Sequence, residues 1–297
     1  MAKKLLLKAP LTLEWEDHPV PALKQDHVVL RTLKTAVSVS STLSEYLGNI
    51  PVSYPRAAGY ESLALVEETS DPEAFPVGMR VVATYGHTDH LVLPVHRLVP
   101  VPEPICDEVA LLSILVCDAF KGVYRVRPRS QDRVLVMGAG VMGILTAWNL
   151  LALGMQVDIH DPLHDRLELA RHMGARPVDP TNQSGGYTCG FECSGNPEAF
   201  SMLQSAMSSE GRICVLSDGN WGSLQLTRDF HQRELAILAA SDGLRYQDHA
   251  RIFFREVEEQ QSLLKRLYDL EVSSADLIPT FEWLAVGPRP RKILVHW

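Results

Sequence analysis

The sequence predicts an α/β protein: a doubly wound parallel sheet joined to a second, mostly β domain. Three observations carry this. Between Arg133 and Ala240, short apolar runs alternate with helical patterns at the rhythm that builds a parallel sheet with helices on both faces. Within that region, Arg133-Val-Leu-Val-Met-Gly-Ala-Gly-Val-Met-Gly143 takes a strand-like run into a helical one through three glycines. Ahead of it, residues up to Ile105 are strand-like runs cut by turns rich in Pro and Gly.

In the first region, His27-Val-Val-Leu-Arg-Thr-Leu33, Leu63-Ala-Leu-Val-Glu67 and Arg80-Val-Val-Ala83 read as strands. Pro76-Val-Gly78 is the turn that delivers the third. Leu98-Val-Pro-Val-Pro-Glu-Pro104 is extended and marks the exit from this domain. Asp107 to Tyr124 is helical and largely apolar, a buried connecting helix. Strands are then expected over 133–137, 155–160, 188–193, 211–216 and 235–240, with helices over 141–153, 163–173 and 197–208. A short further segment fits between the last two strands. Asp248 to Leu270 reads as one charged amphipathic helix, and Lys292-Ile-Leu-Val-His-Trp297 as a final strand that returns to the first domain. No internal repeat and no low-complexity segment interrupts the pattern.

A chain of 297 residues has room for two domains, and 46% hydrophobic with 22% charged residues is the balance of a soluble globular protein. A net charge of −8 without a basic stripe argues against a nucleic-acid partner. The start, Met1-Ala-Lys-Lys-Leu-Leu-Leu-Lys8, is too short in apolar residues for a signal peptide, and no run approaches the roughly 18 apolar residues of a membrane span. Cys106, Cys117, Cys189, Cys193 and Cys214 are scattered without a C-x-x-C pair, the usage of reduced thiols in a cytoplasm.

The three glycines are spaced G-x-G-x-x-G, and each has a physical task in holding a dinucleotide. Gly138 makes the tight turn out of the strand, Gly140 lets backbone approach a pyrophosphate, and Gly143 lets the helix pack closely on the sheet. The helix N-terminus, with the N–H groups of Val141 and Met142, offers donors and a positive dipole end to the phosphates. A second strand, Met155-Gln-Val-Asp-Ile-His160, ends on Asp161, where a carboxylate accepts hydrogen bonds from both ribose hydroxyls of NAD. A 2′-phosphate at that place meets like charge, so NAD(H) is expected over NADP(H). Arg166, five residues further on, either stacks on adenine or caps a solvated helix face. His160 and His164 flank Asp161 without an assigned role.

Further landmarks are Gly59-Tyr-Glu61, Val77-Gly-Met-Arg-Val-Val82, Val95-His-Arg-Leu-Val-Pro-Val-Pro-Glu103, Arg166-Leu-Glu-Leu-Ala-Arg-His-Met-Gly-Ala175, Phe191-Glu-Cys-Ser-Gly195 and Gly211-Arg-Ile-Cys-Val-Leu216. With the glycine fingerprint, they make the chain resemble the medium-chain dehydrogenase/reductase superfamily over nearly its whole length. The resemblance implies a GroES-like β domain over 1–117, completed by 244–297, and a Rossmann dinucleotide-binding domain over 118–243. It implies an NAD-dependent oxidoreductase with a small-molecule substrate, working as a homodimer away from membranes and nucleic acid. Within the superfamily, Gly59-Tyr-Glu-Ser62, a Ser in place of a Cys, and the Lys292-to-Trp297 end resemble the hydroxyethyl bacteriochlorophyllide dehydrogenase branch. That bears on the branch and not on a pigment substrate.

The departures from the family decide the expected chemistry. Zinc-dependent members carry a Cys after the second long strand and a His in a Gly-His-Glu triplet. Here Ser40, within Val37-Ser-Val-Ser-Ser41, and Tyr60 take those positions, and Cys117 alone near the third ligand position cannot complete a tetrahedral site. The four-cysteine structural zinc lobe is missing too, and His87 and His90 read as loop histidines. The resemblance therefore points to a zinc-free member. Hydride transfer to a carbonyl places negative charge on oxygen, which such a member must meet with hydrogen-bond donors and a general acid. Tyr60 sits where the family's His faces substrate, and either donates a proton or packs as a pocket wall. Ser40 either shares that role or is a strand-end hydroxyl, and Glu61 either supports the site or transfers a proton. Cys117 reads as a small buried hydrophobe. Ser194 and Gly195 match a loop that the family sets beside the nicotinamide, and Ser217 follows the next strand at the same sheet edge. The leading expectation is hydride transfer between NAD and a secondary alcohol or carbonyl of a metabolic intermediate. The alternatives are a C=C or C=N reductase and a non-catalytic dinucleotide-binding protein.

Overall fold

Two units share the chain: Met1–Ile114 together with Tyr246–Trp297, and Leu115–Arg245. The computed structural model of the protein describes residues 1–182, 185–218 and 223–297. The first unit opens with a hairpin, β1 (Ala2–Ala9) and β2 (Thr12–His18), for which the sequence reading has no element. Then follow β3 (His27–Val37), the helix α1 (Val39–Tyr46), β4 (Arg56–Ala57), β5 (Glu61–Thr69), β6 (Arg80–Thr84), β7 (His90–Pro94) and β8 (Val99–Pro100). The long helix α2 (Asp107–Val126) begins in this unit and ends in the other.

The second unit alternates as expected: β9 (Val134–Met137), α3 (Val141–Ala152), β10 (Val157–His160), α4 (His164–His172) and β11 (Arg176–Pro177). It continues with β12 (Tyr187–Glu192), α5 (Pro197–Ala206), β13 (Met207–Val215), α6 (Arg228–Gln232) and β14 (Ala236–Ala239). The start of α5 is written in its sequence: Pro197 takes the first helical position, and the Asn196 side chain accepts from the N–H groups of Glu198 and Ala199. All six strands are parallel, in the order β11-β10-β9-β12-β13-β14. This is the doubly wound order, and its topological switch point lies between β9 and β12. Leu135, Met137, Tyr187, Phe200, Leu203 and Ile213 pack one face of this sheet.

The chain then returns to the first unit through α7 (Tyr246–Glu256), α8 (Gln261–Lys265), β15 (Tyr268–Ser273), α9 (Leu277–Val286) and β16 (Lys292–His296). The single helix expected over 248–270 does not form as one piece. It stops at Glu256, passes through a 3₁₀ turn and a five-residue helix, and gives way to a strand. The physical reason is the run Tyr268-Asp-Leu-Glu-Val-Ser273, whose apolar and polar residues alternate at the strand period and pair in parallel with β16. The final strand lies between β15 and β3, completing the order β15-β16-β3-β5-β6-β8 with β7 also on β3. Leu5, Val37, Leu43, Tyr46, Phe281, Ile293 and Val295 bury α1 and α9 against the strands. Among the described residues, no helix is long and apolar enough to cross a membrane.

Candidate active site

The glycine turn of the second unit shows why each of its three positions is glycine. Gly138 has φ +96°, a left-handed conformation, and a side chain there would press on the backbone of Ser194 at 3.0 Å. A Cβ on Gly143 would lie 1.7 Å from the carbonyl oxygen of Gly138, so the first turn of α3 sits directly on the strand end. Gly140 differs from both: a Cβ there meets nothing within 4 Å, leaving backbone open to a ligand. Gly140 is also the N-cap of α3 and has no side chain to occupy the donors of the first turn, where Val141 and Met142 follow half-buried.

Asp161, buried at the end of β10, holds this turn in place. Its Oδ2 accepts the N–H of Ala139 at 2.8 Å, and its Oδ1 accepts that of Leu163 at 3.0 Å. A carboxylate has about four lone-pair sites, so it retains capacity for further donors such as ribose hydroxyls. The Arg166 guanidinium, near the start of α4, lies 3.9 Å from Oδ2. His160 bonds the carbonyl of Val178, and His164 is exposed.

Ser194, Gly195 and Ser217 converge on a residue that the sequence reading passed over. Glu192, fully buried at the end of β12, accepts on Oε1 from the N–H of Ser194 at 2.8 Å, that of Gly195 at 2.9 Å, and the Ser194 hydroxyl. Its Oε2 bonds the Ser217 hydroxyl, and its main-chain carbonyl accepts from Leu216 and Ser217. Its signal was a carboxylate ending an otherwise uncharged, buried strand. Cys117, in α2, donates to the carbonyl of Leu244 at 3.4 Å, and burial pushes its thiol up to about 12. That leaves it a packed side chain and not a thiolate.

In the first unit, Gly59 (φ +77°) turns the chain into Tyr60 and β5. A Cβ on Gly59 would fall 2.5 Å from Nε2 of His87, whose buried ring fills the space under the turn. The main chain ties the two segments together, from His87 N–H to Ala58 and from Tyr85 N–H to the carbonyl of Tyr60. Burial depresses the His87 imidazole to about 4, and its Nδ1 pairs with the Thr35 hydroxyl at 2.8 Å. His90 instead faces Glu67 and Asp89, so the two histidines have separate partners.

The three serines of the Val37–Ser41 stretch take three different places. Ser38 is the N-cap of α1, yet its hydroxyl turns away from the helix and donates to Glu61 Oε1 at 2.7 Å. Ser41 lies one turn on, with Oγ 3.5 Å from the hydroxyl of half-buried Tyr60. Ser40, the expected partner of Tyr60, is exposed on α1. Glu61 points into the interior: Lys292 Nζ, from β16, donates to its Oε1 at 2.6 Å, both side chains being wholly buried, while its Oε2 has no hydrogen-bond partner among the described residues. Removing one member of such a pair strands a charge, at a cost of about 3–5 kcal/mol. Among the described residues, no group of three or more His, Cys, Asp or Glu side chains is placed to hold a metal ion.

Residues 121–229 match the family described as alanine dehydrogenase/PNT, C-terminal domain. The L-threonine 3-dehydrogenase of Chromobacterium violaceum is 26% identical over 259 residues, covering 71% of this chain and 75% of that protein. Among solved structures, galactitol-1-phosphate dehydrogenase from Escherichia coli superposes with a TM-score of 0.85 at 16% identity, over 99% of this chain and 100% of that one. A dehydrogenase from Sinorhizobium meliloti 1021, described as zinc-binding and bound to NADP, gives 0.82 at 16% identity, over 100% of this chain and 99% of that one. Likenesses at such identities speak for the fold.

Proposed function

We propose that this chain, an oxidoreductase of the medium-chain dehydrogenase/reductase superfamily similar to threonine and alcohol dehydrogenases, transfers a hydride between NAD and a secondary alcohol or its ketone without zinc. The observation that carries the reading is the cradle at the end of β9: open backbone at Gly140, with Asp161 clasping the Ala139 N–H. Bound there, the dinucleotide supplies the nicotinamide that takes or gives the hydride. Gly138, Gly140, Val141, Met142 and Gly143 hold its phosphates, Asp161 its adenosine ribose, and Ser194, Gly195 and Ser217 frame its other end. In the reducing direction Tyr60 would give its proton to the substrate oxygen and regain one from solvent water through Ser41, which passes a proton on as it takes one up, over the 3.5 Å between the two hydroxyl oxygens.

The zinc-free part of the proposal rests on donor chemistry. Zinc takes thiolate, imidazole or carboxylate ligands. Around Tyr60 stand the hydroxyls of Ser38 and Ser41, the carboxylate of Glu61, ion-paired through Oε1 to Lys292, and the buried His87 ring under Gly59, and among the described residues these acids and imidazoles do not come together as a set of three. They do not fit a zinc site of the family's kind. The similarity to L-threonine 3-dehydrogenases supports the secondary-alcohol class, since the hydroxyl of threonine at carbon 3 is a secondary alcohol. The bacteriochlorophyllide branch adds likeness at Gly59–Ser62 and at the C-terminal strand, and no substrate.

NADH oxidation on a panel of ketones and aldehydes, against enones and imines, tests the reaction class. Turnover confined to the enones or imines would make the protein a C=C or C=N reductase, and cofactor binding without turnover would make it non-catalytic. Isothermal titration tests the cofactor. A 2′-phosphate against Asp161 loses a hydrogen bond and meets like charge, worth about 1.5–3 kcal/mol, so NADH should bind roughly ten- to a hundredfold tighter than NADPH. Tighter binding of NADPH would overturn the preference. The proposed homodimer is checked by light scattering.

A further inference from the structure

The sheet order divides the cradle into two ends. Asp161 closes β10 on one side of the glycine turn, and β12 and β13 lie on the other. With the ribose of adenosine at Asp161 and the pyrophosphate at the start of α3, the nicotinamide end falls to the loops that follow β12 and β13. This rests on the dinucleotide reading above. Both loops are rooted on Glu192. Ser194 and Gly195 belong to the first, Ser217 belongs to the second, and every described partner of the carboxylate is a neutral N–H or O–H group. The side chain is fully buried. A carboxylate that takes two main-chain N–H bonds and two hydroxyls is being used as an acceptor throughout, which is the behaviour of the ionised form. Dipoles balance this charge, and its field therefore reaches the surroundings more fully than that of a carboxylate paired to a cation.

We infer that Glu192 discriminates between the redox states of the bound cofactor: its buried negative charge, under the two loops of the nicotinamide end, favours the positively charged oxidised ring over the neutral reduced one. Oxidation of nicotinamide is the one change in the cofactor that alters charge at this end, so a fixed anion acts on the two states differently and on the adenosine half hardly at all. The same side chain fixes both loops, and charge and geometry are separable by substitution. Glu192→Gln keeps the size and an acceptor oxygen and removes the charge. Glu192→Asp keeps the charge and shortens the reach to the loops.

The test is fluorescence or calorimetric titration of the full-length protein with NAD⁺, NADH and ADP-ribose, which lacks the nicotinamide. In Glu192→Gln, the ratio of the NAD⁺ to the NADH dissociation constant should rise about tenfold, the scale of one charge acting through partly polar surroundings, with ADP-ribose binding within about twofold of wild type. In Glu192→Asp both affinities can fall, while the ratio stays within about threefold of wild type. An unchanged ratio in Glu192→Gln would overturn the inference, and so would a ratio in Glu192→Asp that moves tenfold. If Glu192→Gln does not fold, Glu192→Asn, neutral like it and of the same reach as the Asp variant, is measured beside Glu192→Asp: its ratio should rise about tenfold above that of the Asp variant, and equal ratios in the two would overturn the inference. A wild-type protein that binds none of the three probes would overturn the dinucleotide reading itself, and the inference with it.

Discussion

Tyr60→Phe keeps the ring and deletes the hydroxyl, which makes it the most direct residue-level test of the proton donor. The expected result is a fall in kcat and kcat/KM together of about 10²-fold, with NADH affinity unchanged, because the lost interaction belongs to the transition state. Steady-state kinetics with a cofactor titration checks it, and near-normal kcat would make Tyr60 a pocket wall. Ser41→Ala is the companion: if the two hydroxyls form one relay, the double variant is no worse than the poorer single one. At this scale the sequence was legible to the segment and not to the side chain. Val37–Ser41 was recognised, but the short helix α1 that carries its serines was not, and it is this helix that sets Ser38 and Ser41 three residues apart on one face and leaves Ser40 exposed. The Glu61 and Lys292 pair had no local signature at all, because its members are 231 residues apart. The role of Glu192 likewise depends on two loops that meet only in the folded sheet.

Among elements, the turn from β9 into α3 makes a sharp contrast available. Gly140 has φ −73° and open space for a Cβ, so Gly140→Ala should fold as the parent does, with Tm within about 2 °C. Its added methyl occupies the space proposed for pyrophosphate, so NADH affinity should fall at least about tenfold. Gly143→Ala drives a Cβ into the Gly138 carbonyl and should lower Tm by several degrees even without cofactor. Thermal melts and NADH titrations of the two variants separate the roles, and an equal Tm for both would contradict them. This turn was legible in the sequence because its demands are local: a left-handed residue, an open approach and a close packing contact, each met by the absence of a side chain. The stretch after Glu256 was not. There, charged residues at helical spacing run directly into the alternating Tyr268–Ser273, and only pairing with β16 decides that the strand wins. The opening hairpin is stabilised in the same way, by β4 on its far side.

For the whole molecule, His87 and His249 predict how stability varies with pH. Burial lowers both imidazoles to about 4, from an ordinary 6.5. Below 6.5 the unfolded chain takes up protons that the native state refuses, so stability is full above that pH and is lost as pH falls towards 4, by up to about 3 kcal/mol per group. Urea midpoints measured between pH 7 and 4.5 should decline, and His87→Gln should decline less steeply. A flat wild-type profile would contradict the buried neutral state. The reaction itself is also a property of the whole protein, because the chemistry proposed for Tyr60, Ser41 and the dinucleotide has to proceed without a Lewis acid. The most direct measurement is the initial rate of NADH formation from a panel of secondary alcohols, by protein of determined zinc content, before and after exhaustive chelation. The rate should be the same in both, in protein holding far less than one zinc per chain. A rate that disappears on chelation and returns with added zinc would contradict a metal-free site.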